Sequence, residues 1–320
     1  MNLSPSPFAI GIDVGGTTIK SALVCGGVIV RRGELIDTQQ CAGPAAIVDA
    51  LVDRITALGG EGARAVGIGL PGIVDSVGGI VHELTNVEGW HAMPLRDVLE
   101  ERTGLTVSIE NDANAMAYGE FRYGAARGAR HVVCITLGTG VGGALILNGQ
   151  LYRGAQLGAG EIGHLSIDLN GRPGPYGNFG ALEEYVGNGQ MAQRALERYA
   201  AAGDTRTLEQ CTPMALDAAA RAGDPIAQGM WELCGTEIGA ALASVIWTLN
   251  PDVIVIGGGV AKAGELILDP IRRSIRARTM VVFHERLQVV PALLGNDAGI
   301  IGNAELALEA AASRAKQPAE

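Results

Sequence analysis

A strand, a glycine-rich turn and a returning strand occur twice in this chain, and the repetition narrows the possible folds more than any other feature. Phe8-Ala-Ile-Gly-Ile-Asp13 reads as a buried strand, Val14-Gly-Gly-Thr-Thr18 as a turn, and Ile19-Lys-Ser-Ala-Leu-Val24 as the strand back. Roughly 125 residues on, the pattern begins again: strand 131–136, glycine turn 137–143, strand 144–147. A repeat at that distance predicts two related α/β halves, each offering one turn lined by backbone amides. Composition agrees. Apolar residues make up 48% of the chain but aromatic ones only 4%, so the core is aliphatic, as in layers built on buried sheets.

The remaining periodicities fill in the halves. Helical spacing covers 45–58, and 65–70 is a strand stopped by Pro71-Gly72. Residues 105–109 form a strand running into Glu110-Asn111-Asp112, with a helix to about Phe121. Later come a long helix, 225–249, a strand, 252–256, opening onto Gly257-Gly258-Gly259, and a last helix, 298–312. No low-complexity linker separates the halves, so a hinge is expected near residue 122. The expected domains are a small one, 1–121 plus a C-terminal helix of about 301–320, and a large one, 122–300.

Charge and cysteines exclude several classes. The net charge is −10 (24 basic, 34 acidic residues) with no basic cluster, which argues against nucleic acid. Cys25, Cys41, Cys134, Cys211 and Cys234 are scattered and contain no C-x-x-C pair, as expected of reduced thiols in a cytoplasm. No window has the eighteen uninterrupted apolar residues of a membrane span. Residues 1–7 lack the basic start of a signal peptide, and none is expected.

The turns carry the chemistry. In Asp13-Val-Gly-Gly-Thr-Thr-Ile-Lys20, glycines let backbone amides approach phosphate oxygens, and Thr17 and Thr18 add hydroxyl donors. Asp13 would repel phosphate unless a divalent cation lay between them, which suggests hydrated Mg²⁺; the plainer reading is a hairpin with a capping acid. Gly138-Thr-Gly-Val-Gly-Gly143 fits G-x-G-x-x-G, but a dinucleotide site needs a helix next. The next residues are Ala144-Leu-Ile-Leu147-Asn-Gly, a hairpin signal. No Gly-Lys-Ser/Thr of a Walker loop occurs. Gly257–Gly259, at the end of a strand, could back a nucleoside or be a plain turn. Asp112, at a strand–helix junction, fits the base that phosphoryl transfer needs, and Asn111 suits a sugar hydroxyl; either could instead simply cap the helix. Glu161, His164 and Glu183 are natural partners for vicinal sugar hydroxyls, although a histidine in a glycine loop is often structural.

In this order these residues closely resemble the ROK family (repressor, open reading frame, kinase), especially its bacterial glucokinase branch. The resemblance runs from about Phe8 to Leu308 and rests on Asp13-x-Gly-Gly-Thr-x-x-Lys20, Leu70-Pro-Gly72, Glu110-Asn-Asp-Ala-Asn-Ala115, Leu137-Gly-Thr-Gly-x-Gly142, Gly160-Glu-Ile-Gly-His164 and Asn250-Pro-Asp-x-Ile-Val-Ile-Gly-Gly-Gly259. It implies an α/β, actin-like ATPase (ribonuclease H-like) fold with the sugar in an interdomain cleft, and a final helix packed back on the first domain. By position, Asp112 corresponds to the base acting on the 6-hydroxyl. Gly72, Asn111, Glu161, His164 and Glu183 correspond to sugar ligands. Asp13, Gly15, Gly16, Thr17, Thr18, Lys20, Gly138, Thr139 and Gly140 correspond to the phosphate and Mg²⁺ side, and Gly257, Gly258 and Gly259 to the nucleoside side.

The implied activity is an ATP-dependent, cytoplasmic glucokinase, a homodimer or homotetramer. N-acetylmannosamine, N-acetylglucosamine, mannose or allose are rival substrates, and polyphosphate is a rival donor. A sugar-sensing repressor would carry a helix-turn-helix ahead of the first strand, and a strand at Phe8 leaves no room for one. The family's zinc motif, C-x-C-G-x-x-G-C-x-E, departs here to Gly174-Pro-Tyr-Gly-Asn-Phe-Gly-Ala-Leu-Glu183. Gly174, Tyr176 and Ala181 replace the three thiolates, so no structural zinc is expected. Pro173 and Pro175 are expected to stiffen the loop, with Tyr176 and Phe179 packed beneath it.

Overall fold

The computed structural model describes residues 6–316 apart from 61, 85, 86 and 88. The chain forms two compact units. The first takes residues 1–128, 153–158 and 296–320, and the second takes 129–152 and 159–295.

In the first unit, β1 (Phe8–Val14) pairs antiparallel with β2 (Thr18–Cys25), which turns through β3 (Val28–Arg32) and β4 (Ile36–Asp37). Helix α1 (Pro44–Gly59) leads to β5 (Ala63–Leu70), parallel to β1 on its other side. The small hairpin β6 (Val74–Asp75) and β7 (Ile80–Val81) precedes α2 (Leu95–Thr103), β8 (Thr106–Asn111) and α3 (Asp112–Tyr123). The sheet order is β3-β2-β1-β5-β8. The central strands are buried on both faces, which is why they read as continuous apolar runs.

The second unit repeats the plan. Strand β9 (Val132–Leu137) pairs antiparallel with β10 (Val141–Leu147), which hairpins into β11 (Gln150–Tyr152). Asn148 and Gly149 make that turn, both with positive φ (54° and 77°), as an Asn-Gly hairpin demands. Helices α4 (Glu183–Val186), α5 (Asn188–Ala201), α6 (Pro213–Arg221) and α7 (Pro225–Leu249) come next. Then come β12 (Val253–Gly257), α8 (Glu265–Arg278), α9 (Val281–His284) and β13 (Gln288–Pro291). The order β11-β10-β9-β12-β13 again sets a hairpin beside parallel strands. By length and composition α7 could cross a membrane, but half of its most apolar stretch is buried in this unit's core.

The last helix, α10 (Ala298–Arg314), belongs to the first unit and packs on β1, β5, β8 and α3. It ends at Arg314; residues 317–320 of the expected helix lie outside the described residues. Both glycine turns are tighter than their sequences suggest. Strands claim Val14 and Thr18 in one, and Leu137 and Val141–Gly143 in the other, because a two-stranded ladder extends until a hydrogen bond closes the turn. The Gly15 amide donates to the Thr18 carbonyl (2.9 Å), and the Gly138 amide to that of Gly140 (3.0 Å).

Candidate active site

In the first unit, the turn after β1 is braced by Thr38, which is buried. Its amide donates to the Thr17 carbonyl (2.9 Å) and its hydroxyl to the Gly15 carbonyl (3.0 Å). With these carbonyls held and the Gly15 amide closing the turn on the Thr18 carbonyl, the tip at Gly16 and Thr17 has a fixed backbone to present to an anion. Gly16 is half-buried and Thr17 exposed at the tip. Asp13 and Lys20 face each other in the ladder. Burial pushes the Asp13 carboxyl above its ordinary range, and Lys20 pulls it partly back.

At the end of β8, Asn111 caps α3. Its Oδ1 accepts from the amides of Ala113 (2.9 Å) and Asn114 (3.2 Å). The cap is therefore Asn111, and Asp112 is the first helical residue. Capping commits the oxygen of the Asn111 amide, while Nδ2 donates one N–H to the Gly72 carbonyl (3.5 Å) and keeps a second. The half-buried Asp112 carboxylate lies in the first turn of α3, and its Oδ1 accepts from the Ala113 amide at 2.8 Å. Gly72, Asn111 and Asp112 thus gather at one strand end.

In the second unit the other turn is held from two sides. The Asn188 amide at the start of α5 donates to the Gly138 carbonyl (2.9 Å), and the Val141 amide donates to Glu183 Oε2 (2.7 Å). Gly258 has φ +85°, and a Cβ there would lie 2.2 Å from the Leu137 carbonyl oxygen. Only glycine lets the turn after β12 approach the end of β9 so closely. Gly257–Gly259 and Gly138–Gly140 are brought together by that approach. Gly163 works similarly: a Cβ would lie 2.2 Å from the Val141 carbonyl oxygen, so the Glu161–His164 turn rests directly on β10. Glu161 opens to solvent, yet the surrounding protein raises its carboxyl pKa; His164 lowers it and Glu183 raises it further. Glu161, His164 and Glu183 are therefore electrostatic neighbours.

The loop from His164 to Glu183 folds without the thiolates of the family motif. Leu182 pairs with Leu165 (2.9 Å), Ile167 with Gly180 (2.8 Å) and Gly180 with Arg172 (2.7 Å) through backbone hydrogen bonds. The Ser166 hydroxyl donates to the Phe179 carbonyl (2.7 Å), and the Tyr185 hydroxyl accepts from the Arg172 amide (3.0 Å). Tyr176 and Phe179 do not pack beneath the loop. They are 80% and 53% exposed, and the backbone on either side of them pairs across the loop at Ser166 with Ala181 and at Pro173 with Phe179. The Tyr176 ring instead meets the His164 ring edge-on at 5.1 Å. The Asn178 amide fills the space at Gly174, where a Cβ would lie 2.2 Å from its Oδ1, and donates to the His164 carbonyl (3.3 Å). A zinc ion would find one imidazole and no thiolate here, and the side-chain space at Gly174 is taken. The residues present do not fit it. Among the described residues no three His, Cys, Asp or Glu side chains gather to hold a metal.

Sequence reasoning missed Thr38, Asn178 and Asn188. Thr38 acts through two hydrogen bonds and Asn178 and Asn188 through one each, across 14 to 50 residues of chain; none stands in a recognisable motif.

Set beside known proteins, residues 9–310 match the ROK family. The chain belongs to the ROK family. The ROK relatives include the glucokinase of Streptomyces coelicolor, 37% identical over 94% of this chain and 98% of the relative, and that of Thermotoga maritima, 35% identical over 95% and 98%. A similar solved structure is the Streptomyces griseus ROK glucokinase in complex with glucose and AMPPNP, at 36% identity and a TM-score of 0.78, covering 94% of this chain and 99% of that one. With such neighbours, the ROK fold of this chain is the actin-like ATPase fold.

Proposed function

We propose that this chain transfers the γ-phosphoryl group of ATP to the 6-hydroxyl of glucose. The observation that carries the reading is the end of β8, where the cap on α3 fixes an amide donor, Asn111 Nδ2, beside the carboxylate of Asp112. Relatives named glucokinases at 35–38% identity over nearly the whole chain support it.

In this reading Asp112 accepts the proton of the 6-hydroxyl as that oxygen bonds to the γ-phosphorus. The bond to the β–γ bridging oxygen breaks, and ADP leaves. Asn111 Nδ2 donates to a sugar hydroxyl, Gly72 lines the sugar, and Glu161 and His164 take further hydroxyls. Glu183 has one oxygen on the Val141 amide and offers Oε1 to the sugar. The turns Gly15–Thr18 and Gly138–Gly140, each closed by the amide of its first glycine, hold phosphate oxygens with their remaining amides, with Lys20 and the Thr139 hydroxyl, and Gly257–Gly259 back the nucleoside. Asp13 suits the Mg²⁺ side, since a carboxyl whose ionisation is opposed by burial gains from a cation. Mg²⁺ when bound neutralises charge on the phosphates. The reading includes a cytoplasmic setting, consistent with five free cysteines, a homodimer or homotetramer, and no structural zinc.

A coupled ADP-release assay over a panel of hexoses and acetylated hexosamines, with ATP and polyphosphate as donors, tests the claim. Glucose with ATP should give the highest kcat/KM; preference for an acetylated hexosamine would move the substrate, and no turnover at all would defeat the kinase. Asp112→Asn should still bind glucose but lose roughly 10³-fold or more in kcat. Near-normal turnover in that variant would remove Asp112 from the mechanism.

A further inference from the structure

An ion pair between the buried carboxylate of Glu110 and the half-buried guanidinium of Arg153 stands directly behind the Asn111–Asp112 turn. Glu110, the residue before Asn111 on β8, is 4% exposed. Its Oε1 accepts from the Asn111 amide (3.0 Å) and from Asn114 Nδ2 (3.0 Å). Its Oε2 accepts from Arg153 Nε (2.7 Å) and from the Arg153 terminal nitrogen (2.6 Å). One carboxylate thus ties together the peptide entering the turn, the first turn of α3 and a guanidinium from a distant part of the chain. Arg153 opens the segment 153–158, which belongs to the first unit although the residues on both sides of it belong to the second. The chain makes this excursion and places an arginine on Glu110 at its start.

Stability alone is a weak reason for such an arrangement. A buried ion pair is often no better than a well-packed apolar pair of similar volume, because desolvation offsets the attraction. What an apolar pair lacks is direction. Glu110 fixes the Asn111 amide, so it fixes the peptide plane from which the Asn111 side chain and Asp112 depart. Arg153 holds Glu110 in the one orientation that serves the Asn111 amide and Asn114 together. A guanidinium donating two N–H groups to one oxygen restrains that carboxylate more tightly than a single-point ammonium would.

We propose that Arg153, acting through Glu110, is a positioning residue for the Asn111–Asp112 turn, setting kcat and the KM for sugar together. The proposal rests on the reading of Asn111 and Asp112 as sugar ligand and base. Displacement of a reacting group by about 1 Å costs on the order of 100-fold in rate, and loosening the peptide at Asn111 acts on that scale.

The test is steady-state kinetics of the full chain, with unfolding followed in parallel so that rates are taken where each variant is folded. Arg153→Met should lower kcat by roughly 10- to 100-fold and raise the KM for glucose several-fold, with the KM for ATP within about twofold. Arg153→Lys should recover part of both losses. The double variant Glu110→Gln with Arg153→Met should be less impaired than Arg153→Met alone, since it leaves no unpaired buried carboxylate. If Arg153→Met does not fold, Arg153→Lys and the double variant carry the same comparison against wild type. Loss of kcat in proportion to the folded fraction, with both KM values unchanged, would reduce the pair to a structural role and overturn the proposal; so would unaltered kinetics. Asp112→Asn separates the two claims: if it stays active the base assignment fails, whereas an inactive Asp112→Asn beside unaltered Arg153 variants sinks the positioning role alone.

Discussion

Asp13 is held where ionisation is opposed. It sits at the end of β1 opposite Lys20, and burial outweighs the lysine's pull, so its carboxyl titrates above the ordinary 3.8. An acid whose folded pKa is raised opposes folding when it ionises; the penalty is absent below the unfolded value and grows as pH rises through the folded one. Asp13→Asn removes that penalty. The variant should therefore melt higher than wild type at pH 7 in the absence of nucleotide and Mg²⁺. A gain on the order of 1 kcal/mol, usual for neutralising a strained functional charge, corresponds to roughly 1–2 °C for a chain of 320 residues. The difference should shrink toward about pH 4, near the ordinary carboxylate range. The same variant should lose on the order of 10²-fold or more in kcat, as expected when a cation-side carboxylate is removed. Thermal melts at both pH values check the first half. A variant that melts lower than wild type at pH 7 would show that Asp13 serves the fold rather than the site.

The loop from His164 to Glu183 is the element on which sequence and structure differ most. Its residue types already deny zinc a donor set, and the pairing of Leu165, Ile167 and Ser166 with Leu182, Gly180 and Phe179 gives the loop another means of holding together. Purified protein should therefore contain well under one zinc per chain by elemental analysis, and a strong chelator should leave its melting temperature unchanged. About one tightly held zinc per chain would contradict both. Asn178→Ala removes the amide that fills the space at Gly174 and caps the His164 carbonyl. Losing one buried hydrogen bond and a little packing costs about 1–2 kcal/mol, and the glucose KM should rise while the ATP KM does not; an unchanged glucose KM would separate Asn178 from His164. Cysteines missing from a motif can be read directly from the sequence, but the cross-loop pairing cannot, because backbone partners leave no residue signature. For the same reason Tyr176 and Phe179 suggest a small core, and the bridged loop exposes them instead. Helix α5 is hidden on different grounds: its buried face is Met191, Ala192, Ala195 and Tyr199, and two alanines give little hydrophobic contrast. By contrast β1, β5, β9 and β12 are buried on both faces and are visible as apolar runs. The glycine turns are visible because close approach leaves glycine no substitute.

At the scale of the molecule, the repeat that is plain in the sequence hides an asymmetry. The first unit is completed by the far end of the chain. Helix α10 lies so close to the sheet that a Cβ at Gly11 would sit 1.9 Å from the Ile300 carbonyl oxygen, and one at Gly67 would sit 1.8 Å from that of Asn303. Asn303 is buried and donates to the Ile12 carbonyl at 2.8 Å. Gly302 meets α3 as closely, with a Cβ 1.8 Å from the Ala115 carbonyl oxygen. Ile300 and Ile301 are buried on the same helix with Ala298, Ala304 and Ala307. Two buried isoleucines contribute about 3–6 kcal/mol, against a total of about 5–15 kcal/mol for a typical folded protein. Removing α10 would also bare the glycine face of β1 and β5, which carries no side chains able to repack. A chain ended before Ala298 should therefore lose the fold of its first unit. The second unit has its own core in residues 133–275 and draws no strand or helix from α10. Hydrogen exchange read by mass spectrometry distinguishes the units: amides of β1, β5 and β8 should exchange rapidly in the truncated chain, while those of β9 and β12 keep their protection. Persistent protection in β1 and β5 would show that the first sheet folds without its final helix.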